Sequence, residues 1–306
     1  MLIGDLHCDT VSEILRKDEV LYENSCHVDL LRMKKVFCIF QSFALYPGQK
    51  NALINCLIMA DKFFTEYYKN KGDLHLVLSS EDVDYSLDSG KTACLLMIEG
   101  GEVLQGSLAV LRILHRLGVR CMTLTWNYKN DIACGALHSG RDTGLSDFGA
   151  DVVSEMNDLG IIIDVSHLSD KSFWEVCELS RVPVAATHSN SRALCSHKRN
   201  LTDEQIRFII KSRGIIGLNF FPDFLGGDGG ITEILRHIEH ILSLGGEDSL
   251  GFGSDFDGVS RLGSGIHGVQ SFPDVVLALR RASYSDRIIE KICFKNIVSY
   301  IKRVLH

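Results

Sequence analysis

Short runs of Val, Ile and Leu recur along the chain, each followed by a polar or glycine-bearing turn and then by apolar positions at helical spacing. Eight runs stand out, at residues 1–6, 36–43, 93–98, 119–125, 161–165, 182–187, 215–220 and 249–253. They are apolar at nearly every position rather than at alternate ones, the pattern of strands covered on both faces in a parallel sheet. Between them the spacing predicts amphipathic helices over 51–69, 107–117, 146–159, 171–179, 202–212, 232–244 and 272–282, with a closing helix over 285–305. Ser146 and Thr202 carry the side chains of helix N-caps. This alternation of strand and helix predicts an α/β fold, a (β/α)8 TIM barrel.

Size agrees with that reading. The chain has 306 residues, 45% of them hydrophobic, which suits one large domain spanning 1–306 better than two ordinary ones. A net charge of -7 and a pI near 5.9 leave no cationic surplus for a phosphate backbone or an anionic lipid surface, so neither nucleic acid nor a membrane is expected as partner. The ten cysteines are scattered, largely within apolar runs such as 36–40, and form no CxxC pair. They read as reduced core thiols rather than as a disulfide scaffold or a zinc ribbon. The opening stretch Met1–His7 has no basic lead-in and no long apolar segment, which predicts a cytoplasmic protein.

Chemistry emerges at the C-terminal ends of the predicted strands, where a barrel of this kind assembles its active site. Run one ends in Asp5-Leu6-His7-Cys8-Asp9, run three in Glu99-Gly100-Gly101, run five in Asp164-Val165-Ser166-His167, run six in His188-Ser189 and run eight in Asp255-Phe256-Asp257-Gly258. His7 and Asp9 stand two apart, which on an extended segment turns both side chains the same way. Imidazole and carboxylate ligands together suit a borderline cation such as Zn²⁺. Glu99, between apolar residues and two glycines, needs a partner charge, which a buried salt bridge or hydrogen bond could supply or which a role bridging two metals would supply. His167 and His188 on neighbouring strands suit a second metal. Asp255 is suited to hold or pass a proton, and Asp257 reads as the structural acid of the pair. By contrast, His237 and His240, three apart in a helical repeat, read as part of a solvated helix face.

Taken together, His7-Cys8-Asp9, Ile98-Glu99-Gly100-Gly101, Leu124-Thr125-Trp126-Asn127, Asp164-Val165-Ser166-His167, Thr187-His188-Ser189, His197-Lys198-Arg199-Asn200 and Gly253-Ser254-Asp255-Phe256-Asp257-Gly258 resemble the membrane dipeptidase family in order and spacing over nearly the whole chain. The resemblance implies two Zn²⁺ per chain, one on His7 and Asp9 and one on His167 and His188, with Glu99 bridging. It further implies that Arg199 grips the substrate's free α-carboxylate and that Asp255 handles protons around a hydroxide shared by the metals. The expected reaction is hydrolysis of dipeptides, including L,D dipeptides, by a protein that could form a homodimer. Trp126 stands where mammalian members carry a substrate-contacting histidine, which makes it a candidate substrate-binding residue of different chemistry. Two alternatives stay open on the residues alone: another binuclear amidohydrolase reaction, on a lactone or cyclic amide, and a barrel that binds metal without catalysis.

Overall fold

The computed structural model describes residues 1–305, and His306, the last residue of the expected domain, lies outside them. Among the described residues there are nine strands: β1 (Ile3–Cys8), β2 (Cys38–Leu45), β3 (Leu74–Leu76), β4 (Thr92–Glu99), β5 (Val119–Thr123), β6 (Ile162–Asp164), β7 (Ala185–Ala186), β8 (Ile215–Leu218) and β9 (Leu250–Phe252). All of their pairings are parallel. The order β2-β1-β9-β8-β7-β6-β5-β4 closes on itself through the pairing of β2 with β4, giving an eight-stranded barrel ringed by helices. β3 lies outside that ring, paired only with Thr92, Ala93 and Cys94 at the start of β4, while β5 takes the later part of β4, from Leu96 to Glu99.

Each of the eight apolar runs contains or overlaps one barrel strand, and both faces of these strands are buried, as their unbroken apolar composition requires. β7 is the shortest, two residues inside a six-residue run, because the chain turns out of the barrel at Thr187 to begin the site. Elements that escaped the sequence pattern include β3 and the helices Thr10–Lys17, Leu30–Lys35, Pro222–Leu225 and Ser80–Ser89. The last of these buries only Val83 and Ser86, too few positions to set up a periodic signal. The expected closing helix is interrupted: Asp286–Glu290 passes through a π-helical turn, Lys291–Lys295, into Asn296–Val304. Both predicted caps are present. Ser146 accepts from Gly149 N at 2.9 Å, and Thr202 accepts from Gln205 N at 3.2 Å while Gln205 reciprocates from its side chain.

One close approach shapes the floor of the site. A Cβ on Gly217 would lie 1.9 Å from the Thr187 carbonyl oxygen, and one on Gly253 would lie 1.7 Å from the same atom. Only hydrogen fits at either position, and this lets β7, β8 and β9 converge directly beneath His188. All ten cysteines are free, and nine are buried, as reduced core thiols should be. Among the described residues no helix is long and apolar enough to cross a membrane.

Candidate metal centre

At the C-terminal mouth of the barrel the ligand atoms of His7, Glu99 and His188 lie within 4.8 Å of one another, and so do those of His7, Asp9 and Asp255. His7 is on β1 and Glu99 closes β4, whereas His167 and His188 lie just past the ends of β6 and β7. Asp9 is not on extended backbone, contrary to the reasoning from strand alternation. It occupies the cap position of the helix Thr10–Lys17 with φ -100° and ψ 21°, and from there its Oδ2 still comes within 3.3 Å of His7 Nε2. His167 and Asp255 adopt left-handed backbone, φ 69° and 62°, which side chains other than glycine rarely hold without a surrounding structure that enforces it.

Hydrogen bonds fix the ring tautomers of the two later histidines. Thr187 Oγ1 donates its single proton to Asp164 Oδ2 at 2.6 Å, so in its 2.8 Å contact with His188 Nδ1 the ring nitrogen is the donor. Asn127 Oδ1 likewise accepts from His167 Nδ1 at 2.8 Å. Each ring therefore turns a bare Nε2 lone pair toward the barrel axis. The two nitrogens are 2.8 Å apart, with Glu99 Oε1 at 2.8 Å from His167 and 3.4 Å from His188. Burial, together with the positive charges of Arg199 and His7, holds both rings well below the usual histidine pKa, so both are neutral. One carboxyl proton on Glu99 can serve one of these nitrogens and not both. Lone pairs converging in this way are what a cation satisfies, and imidazole nitrogens beside a carboxylate oxygen are donors that would hold a zinc ion.

The other half of the cluster makes the same point through charge. Burial pushes Glu99 well above the ordinary carboxylate range, and the neighbouring charge of Asp9 adds to it. Burial opposes a charged His7, yet its bond to Asp9 and the charges of Asp9, Glu99 and Asp255 lift it to about 10. Asp255, 3.9 Å from His7 Nε2, is raised to about 6, chiefly by burial. Without a cation these groups hold protons more tightly than usual, and the buried Asp9 Oδ1 has no partner among the described residues. The donor set of three imidazoles and bridging or terminal carboxylates thus fits divalent metal.

Around the cluster, supporting side chains hold each ligand. Asp164 also accepts from Thr123 Oγ1 at 2.7 Å, Ser166 N at 3.0 Å and Thr187 N at 2.9 Å. Asn219 Nδ2 donates to Asp255 Oδ2 at 2.8 Å, leaving Oδ1 turned to His7. Below His7, Asp5 accepts from Ser254 N and Oγ at 2.8 and 2.6 Å and from Gln41 at 3.2 Å. Asp257 accepts from Thr10 Oγ1 and from His27 N, a structural position as expected. Arg199 is 3% exposed. Its guanidinium donates to the His188 carbonyl at 3.2 Å and lies 5.4 Å from the Phe224 ring centroid, and its Nε has no partner. Burial lowers its pKa to about 10, so it remains a cation at neutral pH. Trp126 is half-buried beside His167, with its ring 5.1 Å from that of Tyr46 and 5.7 Å from that of Tyr128.

A sequence model of the membrane dipeptidase family, peptidase family M19, matches residues 1–305. This chain belongs to the membrane dipeptidase family. Among curated proteins, the dipeptidase is 36% identical over 244 residues to a dipeptidase of Claviceps purpurea, TcpJ, a match covering 78% of this chain and 57% of that one. It is 33% identical over 313 residues to a dipeptidase of Schizosaccharomyces pombe, covering 94% of this chain and 75% of that one. Among solved structures, dipeptidase AC, a metallopeptidase of the same family, superposes with a TM-score of 0.93 at 30% identity over 100% of this chain and 99% of the other. A metallopeptidase from Rhodobacter sphaeroides, solved with a phosphinate mimic of the dipeptide L-Ala-D-Ala, gives 0.93 at 29% identity over 99% of each chain. These relationships make the chain a metallo-dipeptidase on a TIM barrel and set aside a non-catalytic barrel.

The dipeptidase also contains supporting residues that no motif had marked for a role: Thr187, Asn127, Asn219, Tyr46 and Phe224. Asp164 had a signal, a carboxylate inside an apolar run, of the same kind that singled out Glu99. Asn219 had a weaker one, an amide at the end of run seven. His237 and His240 require correction. His237 is 1% exposed, not solvated: its Nδ1 accepts from Ser191 N and its Nε2 donates to the Leu225 carbonyl, each at 3.1 Å. His240 is half-buried against Asp203 at 2.8 Å.

Proposed function

We propose that this dipeptidase hydrolyses dipeptides with a free α-carboxylate, using two zinc ions: one on His7 and Asp9, one on His167 and His188, with Glu99 between them. The observation that carries the reading is the convergence of bare imidazole nitrogens and buried carboxylates at the mouth of the barrel, at distances that cations bridge. Zinc held there would polarise the scissile carbonyl and lower the pKa of an attacking water.

The chain's own residues supply the rest. Arg199, a buried cation with unused donors, binds the substrate carboxylate in a fork of two parallel N–H groups, and so selects a residue with a free C-terminus. Phe224 supports the guanidinium face. Asp255 accepts the proton released by the nucleophile and returns it to the leaving amine. Asn219 holds one of its oxygens, so that the other faces the reacting groups. Trp126 forms an apolar wall beside His167 and, unlike a histidine, cannot switch between donor and acceptor roles. Acceptance of a D-residue at the C-terminal position is supported by the L-Ala-D-Ala mimic bound to the Rhodobacter sphaeroides relative.

A panel of L,L and L,D dipeptides, assayed with and without chelator, tests this reading. Cleavage of both stereochemical classes, lost on chelation and restored by zinc, is expected. Absence of metal-dependent cleavage across the panel would refute the substrate class.

A further inference from the structure

We propose that His237 is a positioning residue for Arg199, holding together the two segments that aim its guanidinium and so setting the preference for a free C-terminal carboxylate. The inference rests on the reading that Arg199 binds that carboxylate.

Arg199 lies in the stretch between β7 and the helix Asp203–Lys211, and little holds its side chain directly. One donor reaches the His188 carbonyl at 3.2 Å, the Phe224 ring lies beneath the guanidinium, and Nε has no partner. Its direction must therefore come from the backbone on either side. Near the start of the stretch, Ser191 N donates to His237 Nδ1 at 3.1 Å. Near its end, Asn200 Nδ2 donates to the carbonyls of Cys195 at 2.9 Å and Phe224 at 2.8 Å. Phe224 belongs to the short helix Pro222–Leu225, and that helix is tied in turn: the Leu225 carbonyl accepts from His237 Nε2 at 3.1 Å.

A single imidazole thus joins the strap that carries Arg199 to the helix that carries the ring beneath it. Its own position is fixed, because the helix Ile231–Ser243 packs against the barrel and His237 is buried on its inner face. Both ring nitrogens are used, one accepting and one donating, which requires the neutral ring. Burial keeps it neutral by lowering its pKa to about 4. An apolar side chain at this position would pack against the barrel but form neither bond. Moving a positioned group by about 1 Å commonly costs on the order of 100-fold in rate or binding, so a small relaxation of this strap would be measurable.

The test compares L-Ala-L-Ala with its C-terminal amide in the zinc-loaded enzyme. In His237→Leu the discrimination between the two, as a ratio of kcat/KM values, should fall roughly 10-fold or more. That fall should come through a higher KM for the dipeptide, with kcat changed little and turnover of the amide unaffected. His237→Gln, which keeps one acceptor and one donor, should recover part of the ratio. Asn200→Ala cuts a second tether, leaving His237 and the Cys195 Sγ bond to the Asp223 carbonyl at 3.3 Å, and should lower the ratio in the same way, which keeps the proposal testable even if His237→Leu does not fold. An unchanged ratio in folded variants, or an equal loss on both substrates, overturns the proposal. Arg199→Ala separates the two claims. If it leaves the ratio at the wild-type value, the carboxylate reading itself has failed. If it abolishes the ratio while the His237 and Asn200 variants preserve it, only the positioning role is lost.

Discussion

Thr187→Val offers a sharp test of how the site is prepared for metal. The substitution keeps the side-chain shape and removes one oxygen, which donates to Asp164 at 2.6 Å and accepts from His188 Nδ1 at 2.8 Å. Asp164 keeps three other donors, Thr123 Oγ1, Ser166 N and Thr187 N, so the fold should survive. His188 does not fare as well. Its buried Nδ1–H loses its only acceptor, at a cost of about 1–3 kcal/mol, and the ring is free to move that proton to Nε2, where it blocks the lone pair a metal needs. A loss of that order corresponds to metal binding weakened roughly 10- to 100-fold at the His167–His188 site. Competition titration of metal-stripped protein against a chromophoric chelator measures this directly. Thr187→Ser, which retains the hydroxyl, should bind close to wild type. Wild-type affinity for both metal equivalents in Thr187→Val would refute the argument that this hydroxyl sets the tautomer of His188.

Three further outcomes follow from the same geometry. Gly217→Ala places a methyl group against the Thr187 carbonyl, which cannot move without shifting β7, so it should destabilise the protein by about 1–3 kcal/mol or prevent folding, as read by thermal denaturation. In metal-free protein, Asp255 is raised to about 6 and His7 to about 10. Both groups hold their protons more tightly when folded. Asp255 therefore contributes stability that is present below the ordinary carboxylate pKa and lost as pH rises through about 6, and His7 contributes stability that is present below the ordinary histidine pKa and lost as pH rises through about 10. Zinc displaces these protons, so calorimetry should show a larger gain in Tm on adding zinc at about pH 8 than at about pH 6, and an equal gain would count against the protonated metal-free site. Finally, Arg199→Ala should raise KM for dipeptides by roughly 30-fold or more, since a buried charge-assisted pair is worth about 2–5 kcal/mol, and steady-state kinetics will show whether it does.

The barrel was legible because its strands are buried on both faces, which forces unbroken apolar runs that recur between helical stretches along the chain. The metal-binding candidates were legible for a related reason: a carboxylate or imidazole at the end of such a run, as with Glu99 and His188, contradicts its surroundings unless something holds it. Elements whose burial is slight left no trace. Helix Ser80–Ser89 buries two residues, and β3 is three residues long and pairs only with the foot of β4. His237 was misread because helical spacing tells which residues share a face and not what that face meets; the strap around Arg199, irregular and distant in sequence, covers it. Asn219 and Thr187 acquire meaning only from partners on other strands, and sequence order does not bring those partners together.

The most direct measurement of the central claim is elemental analysis of purified protein reconstituted with zinc and freed of loosely bound metal. Two equivalents per chain are predicted, falling to about one in His188→Ala, whose remaining site keeps His7 and Asp9. A single equivalent in the wild-type protein, or full occupancy in the variant, would contradict a pair of cations shared across Glu99.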